Sequence, residues 1–268
     1  MIPVVAMLLA SIGCAIQERP AQSRIEQRTS TPAAPDPALV AAWRTQFAAR
    51  TFSSRTGASL PYRILEPAGR GRRPLVIVLH GSGGIGTDNQ AQLGPFGAAW
   101  AQAELGDRPI VLVPQVASRS ADYERVDGRP RASRAGPSFP LLLEFFDAMA
   151  ADERVDPRRI YLVGFSMGGS AALQLALARP AAIAGLVSFA PVPPPVEHAS
   201  RISRVAVTIV HGSADEENPF SNSQRWAAAA DTGGRFQMIV YGGLDHRVPD
   251  DMLVSADWRR RLLTGRLP

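Results

Sequence analysis

The stretch Ile160-Tyr-Leu-Val-Gly-Phe-Ser166-Met-Gly-Gly169 decides the fold that this sequence predicts. An apolar run leads into the pattern Gly-x-Ser-x-Gly at 164–168, and a segment rich in Ala and Leu follows. A buried strand, a sharp turn and a helix are expected in that order. Such a turn exposes the Ser166 hydroxyl above a sheet, at the positive end of the helix. Ser166 is therefore the candidate nucleophile, and the alternative is a helix-capping serine followed by packing glycines.

Short apolar runs alternate with helical patterns over the rest of the chain, from about residue 50 onward. Their near-continuous hydrophobicity suits parallel strands that are covered on both faces. The alternation predicts an α/β fold with a doubly wound, mostly parallel sheet and helices on both faces. The segment between Phe189 and Val205 is too short for a large cap domain. The predicted strands are 60–66, 75–79, 110–113, 160–163, 186–189, 205–210 and 236–241, and the predicted helices are about 90–104, 138–152, 167–179, 221–231 and 252–264.

The charge pattern excludes several classes of function. The 268 residues include 29 basic side chains, all of them Arg, and the formal net charge is +5. Without lysine, Schiff-base chemistry and a Walker-type phosphate loop are excluded. The arginines are scattered, and the densest run, Arg259–Arg261, lies in a predicted terminal helix. A solvated helix face explains that run better than a phosphate-binding patch, so no nucleic-acid partner is expected.

The single cysteine, Cys14, excludes an internal disulfide and a zinc site of several thiolates. It follows Gly13 at the end of an apolar stretch that is too short to span a membrane. Residues 1–16 therefore resemble a signal segment of the bacterial lipoprotein type, with Cys14 as the lipidation site. Plain secretion without lipidation is the alternative. A third possibility is that the segment is not a signal of either kind. Polar, Pro-rich residues 17–40 predict a disordered tether before a domain at 41–268. The expected location is extracytoplasmic, either periplasmic or in the cell envelope, with possible membrane anchoring through Cys14.

A serine nucleophile needs a base, and the four histidines are His80, His198, His211 and His246. His246 lies in a Gly-rich loop after the last predicted strand, where an imidazole can reach the serine. The acid is expected after the preceding strand, where Asp215 follows the run 205–210. His211 ends that same run and is interpreted as structural, holding a loop by hydrogen bonds. Other candidate acids nearby are Asp231, Asp245, Glu216 and Glu217.

The loop after the first core strand reads His80-Gly-Ser-Gly-Gly84. Its string Gly81-x-Gly83-x-x-Gly86 also matches a dinucleotide-binding fingerprint. That motif requires a helix directly afterwards and an acid at the end of the second strand, whereas the second strand here ends in Pro114-Gln115. We therefore expect no nucleotide cofactor. The glycines favour a loop whose backbone N–H groups point at an oxyanion.

With these motifs in order, the chain resembles serine esterases of the α/β-hydrolase superfamily. Residues 73–93 resemble the predicted-peptidase and phospholipase/carboxylesterase group, which is related to polyhydroxybutyrate-depolymerase-like esterases. The resemblance covers roughly residues 50–265. Ile85 departs from the group, since an acidic residue is common there. An aromatic residue expected soon after Pro114-Gln115 is missing or displaced to Tyr123, within an Arg-rich loop at 116–138. The arginines of this loop favour a solvated segment, and attraction of acidic substrates or lipid headgroups is the alternative. They are Arg119, Arg125, Arg129, Arg131 and Arg134.

The resemblance implies hydrolysis of carboxylic esters through an acyl-enzyme, with Ser166, His246 and Asp215 as the catalytic triad. It implies an oxyanion hole from the N–H groups of Met167 and Ser82. It requires no metal and no cofactor, and the partner is a small-molecule or polymeric ester. The alternatives are a serine peptidase of the same fold and a non-catalytic binding protein. Candidate substrate contacts are Gly81, Gly83, Gln115, Phe165 and Phe220.

Overall fold

The computed structural model describes residues 24–30, 34–102, 105, 108–230 and 235–265. Within these residues the strands are β1 (Arg24–Arg28), β2 (Ala48–Ser53), β3 (Ser59–Leu65), β4 (Arg73–Leu79), β5 (Ile110–Pro114), β6 (Ala121–Val126), β7 (Arg129–Ala135), β8 (Val155–Phe165), β9 (Gly185–Phe189), β10 (Ala206–Gly212) and β11 (Phe236–Tyr241). The helices are α1 (Pro37–Arg44), α2 (Pro95–Ala98), α3 (Phe139–Ala150), α4 (Met167–Ala178), α5 (Phe220–Ala229), α6 (Asp250–Val254) and α7 (Asp257–Leu263).

Nine of the described strands form one sheet in the order β1-β11-β10-β9-β8-β4-β5-β3-β2. The first seven strands of this order, which end with β5, are all paired in parallel. At that side of the sheet, β3 pairs antiparallel with β5, and β2 pairs antiparallel with β3. This architecture confirms the predicted α/β fold and its mostly parallel sheet. Because the central strands are parallel, the loops after β4, β8, β10 and β11 meet at one edge of the sheet, which is where ligands bind in such folds.

The sheet is buried on both faces. Along β4, Leu75 and Ile77 pack into one apolar cluster, whereas Val76 and Val78 pack into a second cluster on the opposite face. All four side chains are at most 1% exposed. Successive side chains of a strand point to opposite faces, so a strand covered on both sides is apolar throughout. This burial explains why the central strands are evident in the sequence as unbroken apolar runs.

Two predicted helices are shorter than expected. The helix predicted over 90–104 is reduced to α2 and a 3₁₀ turn over Ala99–Ala101, among the residues that are described there. Gly94 and Pro95 set the start of α2, since proline suits the first helical position. The helix predicted over 252–264 is split into α6 and α7, because Ser255 has an extended backbone at φ −77° and ψ 130°.

The predicted tether at 17–40 is wrong for the part that the structure describes. β1 pairs in parallel with β11, and the Glu26 carboxylate accepts a hydrogen bond from Gln237 Nε2 at 3.0 Å. The outer edge of β11 offers unpaired backbone groups that a polar segment can satisfy, even with Ile25 largely exposed. α1 begins at Pro37 and buries Val40 and Trp43, so the domain starts before residue 41. Cys14 and the segment 1–16 lie outside the described residues.

The Arg-rich segment 116–138 is not the loop that the sequence predicts, since most of it is the hairpin of β6 and β7. Its two-residue turn is Asp127-Gly128, with φ of 49° and 75°. Asp-Gly is a strong signal for such a turn, because both residues tolerate positive φ. The hairpin stands apart from the main sheet and lies beside the candidate site. No helix among the described residues is long and apolar enough to span a membrane.

Candidate active site

The turn between β8 and α4 holds Ser166 in an unusual backbone conformation. Its φ is 54° and its ψ is −117°, in a region that residues with a side chain rarely adopt. The Ser166 N–H donates to the carbonyl of Phe189 at 2.8 Å, and its carbonyl accepts from the Ser170 N–H at 2.9 Å. These bonds keep the turn in place and direct the side chain to the edge of the sheet.

Two glycines make this turn sterically possible. A Cβ on Gly164 would lie 2.2 Å from the carbonyl oxygen of Gly168, and a Cβ on Gly168 would lie 2.2 Å from that of Leu79. Strand β8, helix α4 and the end of β4 therefore approach more closely than any other residue type allows. The spacing Gly-x-Ser-x-Gly is a steric requirement of the turn.

His246 lies in the loop after β11 and bridges two other side chains. Its Nε2 lies 2.8 Å from Ser166 Oγ, and its Nδ1 lies 2.7 Å from Asp215 Oδ2. The loop packs directly on the end of β10, because Gly212 has no Cβ that would meet the Leu244 carbonyl at 2.2 Å. The ring of Phe165 packs against the imidazole with centroids 5.2 Å apart. The structure thus brings together the three side chains predicted as a triad.

The carboxylate of Asp215 is fully buried and accepts several hydrogen bonds. Its Oδ2 accepts from His246 and from His211 Nε2, at 3.1 Å for the latter, and its Oδ1 accepts from the Asn218 N–H at 2.9 Å. Burial alone would raise the pKa of Asp215, but the hydrogen bonds from His211, His246 and Asn218 outweigh it and hold the pKa well below its ordinary range. The carboxylate is therefore ionised at neutral pH.

The other candidate acids lie elsewhere. Asp245 is exposed and pairs with Arg247, and Glu216 is exposed as well. The Glu217 carboxylate is 76% exposed and lies 3.8 Å from His246 Nε2, on the serine side of the ring. Asp231 lies outside the described residues. Among the described acids, only Asp215 contacts the Nδ1 side of the imidazole.

His211 holds the loop after β10, as predicted, and also contacts the acid. Its Nε2 faces two acceptors, Asp215 Oδ2 and the Asn218 carbonyl at 3.0 Å, so Nε2 must carry a proton. Its Nδ1 lies 2.8 Å from Ser223 Oγ. The imidazole is 1% exposed and packs against the ring of Phe220, with centroids 5.7 Å apart. Asp215 thus lies between two histidines.

His80 anchors the loop after β4 through two hydrogen bonds. Its Nε2 accepts from the Val116 N–H at 3.2 Å, so the proton lies on Nδ1, which donates to the Gly81 carbonyl at 2.7 Å. Burial lowers the pKa of His80 below 6.5, against the effect of the bond to Gly81. A neutral imidazole therefore anchors the 3₁₀ turn Ser82–Gly84, which begins beside Ser166.

Gln115 fastens the same loop, and the prediction that it contacts substrate is wrong. The side chain is completely buried. Its Nε2 donates to the Gly84 carbonyl at 3.2 Å and to Asp88 at 2.8 Å, and its Oε1 accepts from the Asn89 N–H at 2.6 Å. All of its polar groups are thus used inside the protein, and none is left for a ligand.

A cleft of about 280 Å³ opens directly over Ser166. Its lining does not include the four other residues that the sequence predicts to contact substrate. Phe165 and Phe220 pack against the two histidines, Gly81 lies close to the ring of Phe165, and Gly83 has open space around it. The residues that line the cleft are Ser82, Arg119, Tyr123, Arg125, Pro130, Ser166, Glu217 and Asn218.

The chain is similar in sequence to known proteins over part of its length. The family model described as Phospholipase/Carboxylesterase matches residues 131–257. A protein of Nocardia uniformis subsp. tsuyamanensis named "Putative esterase NocK" is 34% identical over 186 residues, which are 69% of this chain and 51% of that protein. This chain therefore spans about half the length of that relative.

Solved structures share the fold. A thermostable esterase superposes with a TM-score of 0.72 at 24% identity, over 82% of this chain and 63% of its own. The chain has the α/β-hydrolase fold, and it is similar over residues 131–257 to the phospholipase/carboxylesterase family. Porphyromonas gingivalis dipeptidyl peptidase 4 superposes with a TM-score of 0.58 at 17% identity, over 82% of this chain and 35% of its own. The α/β-hydrolase fold is thus common to esterases and peptidases.

Sequence reasoning missed part of this candidate site. Arg119 and Arg125 line the cleft, although the sequence favours a solvated loop for the arginines of their segment. The Asp127-Gly128 turn signal could have revealed the hairpin that carries Arg125. Nothing in the sequence indicated that His211 would contact Asp215. Among the described residues, no three His, Cys, Asp or Glu side chains are grouped to hold a metal ion.

Proposed function

We propose that this α/β-hydrolase is a serine esterase that cleaves carboxylic esters through an acyl-enzyme. One observation carries the proposal, which is the unbroken hydrogen-bonded chain from Ser166 Oγ through His246 to the buried carboxylate of Asp215. A serine hydroxyl is a weak nucleophile unless an adjacent base accepts its proton. The position of His246 between Ser166 and Asp215 supports its role as that base, with Asp215 as the acid that orients it.

In the proposed cycle, Ser166 Oγ attacks the ester carbonyl carbon while His246 Nε2 takes the hydroxyl proton. Asp215 holds the proton on Nδ1 and stabilises the imidazolium that forms. The tetrahedral intermediate collapses, the carbon–oxygen bond to the alcohol breaks, and His246 protonates the leaving alkoxide. Water then attacks the acyl-enzyme with the same base, and the carboxylic acid and free Ser166 are released.

The negative oxygen of the tetrahedral intermediate needs hydrogen-bond donors in place before the reaction. We assign this role to the N–H groups of Met167 and Ser82. Met167 is the first residue of α4, and the first N–H groups of a helix have no acceptor within the helix. Ser82 begins the turn that His80 and Gln115 hold in position. Each such donor typically lowers the barrier by about 3 kcal/mol.

The proposal predicts that Ser166→Ala removes nearly all hydrolysis of 4-nitrophenyl butyrate. Loss of a triad nucleophile typically lowers kcat by about 10⁶-fold. Steady-state kinetics measures the effect, and circular dichroism checks that the variant is folded. Ser221→Ala, an exposed serine on α5, is the matched control and should retain wild-type kcat.

A fluorophosphonate probe tests the same assignment independently of the substrate. Wild type should be labelled on Ser166, and Ser166→Ala should not be labelled. Undiminished turnover in the folded Ser166→Ala variant would reject the esterase mechanism. Faster cleavage of a peptide amide than of the matched ester would favour the peptidase alternative.

A further inference from the structure

The cleft over Ser166 carries more positive than negative charge. Arg119 and Arg125 both line it, whereas Glu217 is the one carboxylate in its lining. Glu217 is largely exposed and lies 3.8 Å from His246 Nε2. A serine esterase for neutral esters has no need of cations in its binding cleft, because the oxyanion is stabilised by N–H groups.

The two arginines differ in their partners. Arg119 pairs with Asp122 at 3.1 Å, and its guanidinium lies 4.6 Å from the centre of the Tyr123 ring. Arg125 donates from Nη1 to the carbonyl of Gly128 at 2.8 Å, and within the described residues no carboxylate lies within ion-pair distance of it. Its remaining N–H groups are therefore available to a ligand, in the planar arrangement that matches a carboxylate.

The hairpin that carries Arg125 is fastened to the rest of the domain. Asn222 on α5 donates to the Pro130 carbonyl at 2.8 Å, and the Ser133 N–H donates to the Pro193 carbonyl at 2.9 Å. Gln174 on α4 donates to the Ser133 carbonyl at 2.8 Å. The hairpin is therefore a fixed wall of the cleft.

Arg125 lies on the side of the hairpin that faces the cleft. Tyr123 and Arg125 are two residues apart on β6 and both face the cleft. The pairing shifts by one residue between Glu124 and Arg125, so that Arg125 faces Pro130 and Arg131 is the extra residue. The extra residue lies on β7, so the alternation of side chains along β6 is kept and Arg125 stays on the same side as Tyr123. Such bulges are common beside active sites.

We propose that the natural ester carries a carboxylate, and that Arg125 binds this group while Ser166 attacks the ester carbonyl. The proposal rests on the proposed function and names its substrate class. Arg119 holds Asp122 and Tyr123 in place and so shapes the wall beside the bound anion. Arg125 is a specificity-determining residue, and it takes no part in the bond-making steps.

Two pairs of chromogenic esters test the proposal, because the carboxylate could belong to the acyl or to the alcohol part. The acyl pair is 4-nitrophenyl hexanoate and the mono-4-nitrophenyl ester of adipic acid. The alcohol pair is 4-nitrophenyl butyrate and 3-carboxy-4-nitrophenyl butyrate. For each pair the measured quantity is the ratio of kcat/KM for the anionic ester to kcat/KM for the neutral ester.

In at least one pair, Arg125→Gln should lower this ratio about tenfold, the usual effect of losing a hydrogen bond to a charged group. Arg125→Lys should restore part of it. Arg129→Gln is the matched control, since Arg129 is exposed on the same hairpin but does not line the cleft. Its ratio should equal that of wild type. Raising NaCl to about 0.5 M should lower the wild-type ratio and leave that of Arg125→Gln nearly unchanged.

Two outcomes overturn separate conclusions. In the first, both neutral esters are hydrolysed, and the ratios are the same in wild type, Arg125→Gln and Arg129→Gln. This result would reject the anion-binding role of Arg125 but not the proposed esterase function. Absence of hydrolysis of all four esters by wild type would reject the proposed function itself.

Discussion

At the scale of single residues, the unusual feature of this site is the second histidine behind the acid. His211 Nε2 donates to the same Asp215 oxygen that accepts from His246. A donor on the far side holds the carboxylate in one orientation and draws off part of its negative charge. In the proposed mechanism, His211 is thus a positioning residue, which acts on the reaction through Asp215.

We expect His211→Phe to lower kcat about tenfold, because Asp215 loses a hydrogen bond between a neutral donor and a charged acceptor. His211→Gln should recover much of the loss, since its amide nitrogen can reach the position of Nε2. KM should stay near the wild-type value in both variants, because His211 does not line the cleft. Steady-state kinetics measures both effects.

A merely structural role of His211 would give a different result. Both variants would then lose melting temperature to a similar extent, with kcat at the wild-type value. That outcome would remove His211 from the description of the site.

At the scale of elements, the junction of β8, α4 and β4 depends on a contact that only glycine permits. Gly168→Ala would place a Cβ 2.2 Å from the Leu79 carbonyl oxygen, so the backbone must shift. We expect a loss of about 3 kcal/mol in the free energy of unfolding, and slower labelling of Ser166 because the turn is displaced. Urea unfolding and fluorophosphonate labelling rates are the measurements.

Gly94→Ala is the control for this element. A Cβ on Gly94 would meet no atom within 4 Å, and the φ of this residue is −70°, so alanine fits there without strain. If Gly168→Ala proved as stable as Gly94→Ala, the close approach of the three elements would not be what requires glycine.

At the scale of the whole molecule, stability should depend on pH through two buried groups. The pKa of His80 lies below 6.5 in the folded state. As the pH falls, His80 is therefore protonated in the unfolded chain at a higher pH than in the folded protein. Stability therefore decreases as the pH falls below 6.5. The pKa of Asp215 is also lowered, so its contribution is complete above about 4 and is lost at more acidic pH.

Urea unfolding at pH 8, 7, 6 and 5 tests the first of these effects. Each proton taken up only by the unfolded chain lowers the unfolding free energy by up to about 1.4 kcal/mol per pH unit. His80→Asn keeps a donor for the Gly81 carbonyl but cannot titrate, so its stability should fall less steeply between pH 7 and pH 5. Equal slopes in wild type and variant would assign the acid sensitivity to other groups.

The location of the protein also belongs to this scale, and it stays a prediction. Lipidation of Cys14 and an extracytoplasmic location rest on residues 1–16, which lie outside the described residues. The structure corrects only the predicted tether, because Arg24–Arg28 is part of the sheet and α1 is packed on the domain.

The sequence by itself determined the strand-turn-helix unit around Ser166, the parallel strands and the chain order of serine, acid and base. These depend on local patterns of apolar residues and glycines, which act within a few neighbouring residues. The tertiary structure alone decided which nearby carboxylate faces His246, that Gln115 is turned inward, and that Arg125 lines the cleft. The reason is physical: the direction of a side chain at the end of a strand depends on burial, register and contacts with residues far along the chain, such as the 80 positions that separate Ser166 from His246.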